Sequence, residues 1–250
     1  MNHLEKIVVA GYVSPSLVDV YGSSSFTTWF CGCNLKCYYC YNWEIALLRN
    51  DCKSIDLEKL VDEVYRTKKL VEYFQATGGE PLLQTNGLIM LYNVVKNNVG
   101  LKTSLNSNLV LYDSLKILLE KVEIDHIATD IKHPFEETTG VDLNTAQLYW
   151  NNYIKSLSLA VDKGIFIELR LPFFNGLDMN SESHRITQVL NILNKSDDYI
   201  IVIHPLLGEP YVKPWCREWC VGRCNPKLEN LELAKSWFIE RGFNKVYLRI

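Results

Sequence analysis

The sequence predicts an α/β fold with a barrel-like sheet, on three observations. Short runs rich in β-branched and aromatic residues alternate with longer segments of helical period, the pattern of parallel βαβ units. Several successive strand candidates also carry one polar face. Ile165, Ile167, Leu169 and Leu171 alternate with Glu168 and Arg170, Ile127 and Ile131 with His126, Asp130 and Lys132, and Leu101 and Leu105 with Ser104 and Asn106. An open parallel sheet covered by helices on both faces would read as nearly continuous apolar runs, so a polar interior with helices outside fits better. Finally, glycine-rich and polar motifs follow the strands, where α/β barrels place their function.

In order, a possible edge strand at Lys6–Val13 precedes strand candidates Phe26–Phe30, Glu72–Thr77, Leu101–Asn106, His126–Lys132, Ile165–Leu171 and Tyr199–His204. Between them, Leu57, Leu60, Val61, Val64 and Tyr65 fall on one helical face behind Asp56, a candidate N-cap. Leu115, Leu118, Leu119 and Val122 repeat this behind Asp113, as do Ile186, Val189, Leu190 and Leu193. Leu82–Asn98 and Asn144–Asp162 read as helices, the second stopping before Gly164, and Leu228–Phe243 with Lys245–Ile250 reads as a closing helix and strand. The expected division is a barrel core over 1–208 and a cysteine-containing extension over 209–250.

With 48% hydrophobic and 22% charged residues and a net charge of −3, the chain reads as an ordinary soluble protein. No long run of either charge asks for nucleic acid, and no apolar run approaches the ~18 residues of a spanning helix. Met1–Lys6 lacks the layout of a signal peptide. Eight cysteines without an export signal favour metal binding or catalysis over disulfides, and the cytoplasm is the expected compartment.

Three of those cysteines, Cys33, Cys37 and Cys40, lie within eight residues. A compact cysteine run suits an iron–sulfur cluster, and three thiolates on a cubane leave one iron open to a small molecule. Zinc is the alternative, but its sites prefer paired knuckles a dozen or more residues apart. Cys216, Cys220 and Cys224 form a second triad, either unliganded thiols or a second metal site holding an auxiliary iron–sulfur cluster or zinc, with Cys31 or Cys52 as a fourth ligand. After the strand ending at Thr77 comes Gly78-Gly79-Glu80-Pro81, which either meets a ligand through its backbone or simply turns into a helix with Pro81 at its first position.

The run Gly32-Cys33-Asn34-Leu35-Lys36-Cys37-Tyr38-Tyr39-Cys40-Tyr41-Asn42 resembles the cluster signature of the radical S-adenosylmethionine (SAM) enzymes, and within them the activating enzymes of glycyl-radical enzymes. Gly11-Tyr12-Val13 and Ser16-Leu17-Val18-Asp19 make it most similar to activases of the class III anaerobic ribonucleotide reductase. The likeness is dense over 11–42 and scattered to about 208. It implies a partial (β/α)6 TIM-like barrel in which Cys33, Cys37 and Cys40 hold a [4Fe–4S] cluster chelated by SAM. It also implies that Tyr39, Gly78, Gly79, Glu80, Ser104, Asn106, Asp130, Lys132, Arg170 and His204 surround SAM. Glu80 and the Gly78–Gly79 backbone would meet the methionine ammonium, and Ser104 and Asn106 the ribose and carboxylate. Lys132 would balance the carboxylate or the cluster. The implied chemistry is reductive cleavage of SAM to a 5′-deoxyadenosyl radical. A reducing donor such as flavodoxin or ferredoxin would supply the electron, and a glycine of a partner enzyme the hydrogen atom. Asn175 replaces the family's usual proline before Gly176, and Tyr21-Gly22-Ser23-Ser24-Ser25 replaces its Arg-containing approach. A radical SAM enzyme acting on a small molecule or peptide, or an iron–sulfur or zinc protein without catalysis, are the other readings.

Overall fold

The computed structural model describes residues 6–49, 52–180 and 183–250. Of the segment that argues against a signal peptide, Met1–Glu5 lie outside these. The strands are β1 (Lys6–Val20), β2 (Ser23–Phe30), β3 (Lys53–Asp56), β4 (Tyr73–Gly78), β5 (Lys102–Asn106), β6 (His126–Asp130), β7 (Phe166–Phe173), β8 (Tyr199–Pro205) and β9 (Val246–Leu248). The helices are α1 (Trp43–Ala46), α2 (Leu57–Thr67), α3 (Thr85–Val94), α4 (Tyr112–Lys121), α5 (Phe135–Thr138), α6 (Leu143–Asp162), α7 (Ser183–Leu193), α8 (Arg217–Cys220) and α9 (Leu228–Ile239). They fall into two compact units, Met1–Asn34 with Glu44–Ala128, and Leu35–Trp43 with Thr129–Ile250.

In the first unit the strand order is β3-β1-β2-β4-β5-β6. β1 runs antiparallel to β2 and β3, whereas β2, β4, β5 and β6 are mutually parallel. The expected edge strand therefore changes. β1 continues to Val20, and over Lys6–Val9 it is covered by β3, a short strand the sequence pattern did not suggest. Asp56 does occupy the N-cap of α2, but its carboxylate faces Lys6 and Lys59 and makes no cap hydrogen bond. The single helix expected over Leu82–Asn98 is a 3-10 turn (Pro81–Gln84), α3 and a π turn (Val95–Val99). The wide last turn keeps both Val95 and Val99 buried.

The apolar faces behave as the alternation requires. Phe74 of β4 is fully buried, with ring centroids 5.9 Å from both Phe26 and Tyr92. The polar faces of the same strands are also buried, and they satisfy one another. Ser25 bonds Thr27 (2.8 Å), Thr27 donates to Gln75 (3.4 Å), Gln75 donates to Ser104 (3.4 Å), and Ser104 bonds His126 Nδ1 (2.8 Å). A polar interior is stable only when its groups are paired in this way.

The second unit holds parallel β7, β8 and β9 in that order. Its core gathers Trp150 and Tyr153 of α6, Phe135 of α5 and Ile186 of α7, with Trp237 and Phe238 of α9 against β8 and β9. Asp142 caps α6 through the Thr145 amide (3.0 Å), and Gly164 (φ 69°) follows its end as the sequence suggests.

Truncating Phe74 to alanine should cost about 3–5 kcal/mol of unfolding free energy, read as a shift of the urea midpoint.

Candidate active site

In the first unit, pairing between β2 and β4 does not stop where the strands stop. Gly79 N donates to the Phe30 carbonyl (2.8 Å) and Glu80 N to the Gly32 carbonyl (2.7 Å). The approach is so close that a Cβ on Gly79 would overlap the Gly32 carbonyl, and Gly78 turns the chain at φ 113°, a conformation that favours glycine. The Gly78-Gly79-Glu80 loop is thereby laced to the residue before Cys33. Glu80 is fully buried, and its carboxylate accepts from Leu82 N (3.0 Å), Ser107 Oγ (2.8 Å) and Asn108 N (2.8 Å). It thus ties the loop to the turn after β5. Asn106, at the end of β5, donates to Thr77 Oγ1 (2.9 Å) beside the same loop, whereas Ser104 lies deeper, in the buried polar chain.

The rest of the cysteine run is built in the second unit. Cys40 N donates to the Cys37 carbonyl (3.0 Å), closing a tight turn. Two segments bracket that turn through the backbone. Lys36 N and Tyr38 N donate to the Thr139 and Thr138 carbonyls (3.0 and 3.1 Å), while Cys216 N and Trp215 N donate to the Tyr38 and Cys40 carbonyls (2.8 and 2.9 Å). Trp219 lies against Tyr38, Tyr39 and Phe174, and Trp215 against Trp43. Tyr39 is buried, and its hydroxyl has no hydrogen-bond partner among the described residues.

The charged residues expected around SAM in this unit form close pairs. Lys132 Nζ lies 2.6 Å from Asp130, and Arg170 Nε 2.6 Å from Glu168, which is fully buried. Burial opposes ionisation of Asp130, but Lys132, His204 and Arg170 outweigh it and hold the carboxyl below its usual range. Burial likewise works against the Lys132 ammonium, and Asp130, Tyr39 and Cys37 more than compensate. Burial pushes the Cys37 thiol up to about 12, against the pull of Lys132. His204, near the end of β8, is pushed down to about 4, first by burial and then by Arg170, Arg249 and Lys132, with Asp130 opposing. It is neutral at pH 7.

The expectation that the cysteines serve metal binding or catalysis rather than disulfides fails for four of the eight. Cys31 and Cys52, considered as a fourth metal ligand, are bonded to each other. Cys220 and Cys224 also form a disulfide. An S–S bond removes the thiolates that ligation needs, so this triad offers a metal one thiol, Cys216, rather than three. Cys33, Cys37 and Cys40 stay outside any disulfide. As donors they fit an iron–sulfur cluster, although among the described residues no three His, Cys, Asp or Glu side chains form a ready metal site. The sequence reading missed Asn34, Ser107, Asn108, the Thr138–Thr139 bracket and Trp219. Only Asn34 carried a signal, being inside the cysteine run.

The family model of the radical SAM superfamily matches residues 27–184. A Methanocaldococcus jannaschii protein provisionally named a glycyl-radical enzyme activating enzyme is 24% identical over 67% of this chain and 69% of its own length. The pyruvate formate-lyase-activating enzyme of Staphylococcus aureus is 31% identical, over 41% of this chain and less than half (44%) of that enzyme. Among solved structures, QueE of Escherichia coli superposes with a TM-score of 0.58 at 13% identity, covering 98% of this chain and 94% of that one. An anSMEcpe structure with bound AdoMet gives 0.52 at 19% identity, covering 87% and 60%. These neighbours share the α/β fold expected from the sequence, a partial barrel of the radical SAM type.

Two outcomes follow from the geometry. Gly79→Ala should lower the melting temperature, at a cost of about 1–3 kcal/mol from overpacking, whereas Gly11→Ala, where a Cβ meets nothing within 4 Å, should not. Because His204 binds a proton at about pH 4 when folded and at about 6.5 when unfolded, its contribution is complete above pH 6.5 and is lost as pH falls towards 4. Urea unfolding at pH 7 and pH 5 should show a loss of stability that is smaller in His204→Gln, by on the order of 1 kcal/mol.

Proposed function

The chain belongs to the radical SAM superfamily, and from that membership we propose that it is an activase, installing a glycyl radical on an anaerobic ribonucleotide reductase or a related glycyl-radical enzyme. The family implies a [4Fe–4S] cluster and SAM. Cys33, Cys37 and Cys40 would hold the cluster. Tyr39, the Gly78–Gly79 backbone, Asn106, Asp130, Lys132, Arg170 and His204 are the proposed contacts of SAM. Glu80 and Ser104, expected among them, are fully buried and bonded within the protein, and their proposed role is to hold the loop and the sheet. When bound, the two groups supply reductive cleavage of the sulfonium and hydrogen abstraction by the resulting 5′-deoxyadenosyl radical.

The observation that most supports this reading is the lacing of Gly79 and Glu80 onto Phe30 and Gly32. It holds the Gly78–Glu80 loop beside the chain that enters the first cysteine. The chain's own residues then have clear tasks. Glu80 holds the loop in shape, and the bracket of Thr138–Thr139 and Trp215–Cys216 orients the Cys37–Cys40 turn. The Asp130–Lys132 and Glu168–Arg170 pairs keep charge in place without free counter-ions. Neutral His204 can accept or donate a hydrogen bond without adding charge. The relatives named as activating enzymes support a protein substrate, and a flavodoxin or ferredoxin is the proposed reductant. Among the described residues no helix is long and apolar enough to cross a membrane, and the cytoplasm is the proposed compartment. Residues 209–250, which bracket the cysteine turn, are proposed as an extension of a core spanning 1–208.

Protein reconstituted anaerobically with iron and sulfide, then given dithionite and SAM, should release 5′-deoxyadenosine. The Cys33→Ala, Cys37→Ala and Cys40→Ala variants should release none. A glycine-loop peptide from a glycyl-radical enzyme should gain a glycyl radical signal. SAM cleavage without that signal would shift the substrate to a small molecule or another peptide, and intact SAM on an iron-loaded protein would leave a non-catalytic iron–sulfur protein.

A further inference from the structure

Asn108 follows the end of β5 by two residues and is only 8% exposed. Its side-chain oxygen accepts from Val110 N (3.1 Å), which fixes the orientation of the amide. Nδ2 is therefore turned the other way, where it donates to Asn34 Oδ1 (2.9 Å) and lies 4.0 Å from Cys33 Sγ. The Asn108 backbone nitrogen donates to Glu80 Oε2 (2.8 Å), so the same residue is bolted to the Gly78–Glu80 loop. Asn34 spends its oxygen on Asn108, and its own Nδ2 is buried with no acceptor among the described residues. A buried donor left without an acceptor is costly, so such a group calls for a partner. Here it adjoins a cysteine, whereas the buried side-chain amides Gln75 and Asn108 among the described residues are bonded.

A neutral thiol is a poor acceptor, but a metal-bound thiolate or a bridging sulfide carries negative charge and accepts amide N–H well. We propose that Asn34 and Asn108 form an amide pair that donates hydrogen bonds to the sulfur of a cluster ligated at Cys33 and raises its reduction potential. The proposal rests on the reading of Cys33 as a cluster ligand. Its physical basis is that the reduced cluster carries one more electron, and N–H dipoles aimed at its sulfur stabilise that form more than the oxidised one. Both are positioning residues. Through Asn108 the donor pair is also joined to Glu80, so the loop proposed to meet SAM and the environment of the cluster share one hydrogen-bonded chain.

The test is an anaerobic redox titration of reconstituted protein, followed by electron paramagnetic resonance of the reduced cluster, with iron content and melting temperature measured beside it. Asn108→Ala removes the amide, and Asn108→Asp keeps an oxygen for Val110 N but presents a carboxylate where the N–H had been. With iron content equal to wild type, both should move the potential to more negative values, the aspartate further than the alanine. Asn34→Ala leaves the Val110 and Glu80 bonds intact and should move it the same way. Unchanged potentials in iron-loaded variants would overturn the proposal. Loss of iron from folded variants would do so too, because the pair would then build the site rather than tune it. If neither position-108 variant folds, the Asn34→Ala potential alone decides. Wild-type protein that takes up no iron would instead defeat the cluster reading and this proposal with it.

Discussion

Gly79 and Gly32 touch through their backbones, with no space between them for a single Cβ. Much of the candidate site depends on that contact. It lets the Gly79 and Glu80 amides continue the ladder of β2 and β4 past the strand ends, so that the chain entering Cys33 and the loop entering α3 are held at hydrogen-bond distance. Glu80 then carries the contact onward, since its carboxylate gathers donors from its own loop and from the turn after β5. A fully buried carboxylate is tolerable only because each of these donors points at it.

The interior polarity follows the same rule. Strands with one apolar and one polar face would be unstable in a sheet buried on both sides unless the polar face satisfied itself. In the first unit it does so through neutral groups, in a chain from Ser25 to His126. In the second it does so through charge, with Asp130 against Lys132 and Glu168 against Arg170. Buried ion pairs contribute little net stability, because desolvation offsets attraction. The neutral chain in the first unit has a structural explanation, and Ser104 belongs to it.

The cysteines divide by partnership. Four are joined in two disulfides, and the local triads differ as a result: Cys33, Cys37 and Cys40 keep their thiols, while Cys220 and Cys224 consume theirs. The region around Cys216 nevertheless serves the site, by backbone bonds to Tyr38 and Cys40 and by the packing of Trp219 on Tyr38 and Tyr39.

The amino-acid order by itself determined the strand and helix alternation, the polar face of successive strands, the cysteine run and the glycine loop, because each is written in spacing over a few residues. Period and turn chemistry are local, so β4 to β8 and α2, α4, α6 and α9 fall within a few residues of where the pattern places them. Tertiary structure alone decided that Cys31 pairs with Cys52, 21 positions away, because that bond depends on how β2 and the entry to β3 approach each other. It also decided that β3 covers β1, that Glu80 is tied to Ser107 and Asn108, and that Asn34 and Asn108 meet beside Cys33. Asn34 and Asn108 are 74 positions apart. Nothing in either one's neighbourhood announces the other, and only the parallel pairing of β2, β4 and β5 brings their strand ends to the same side of the sheet.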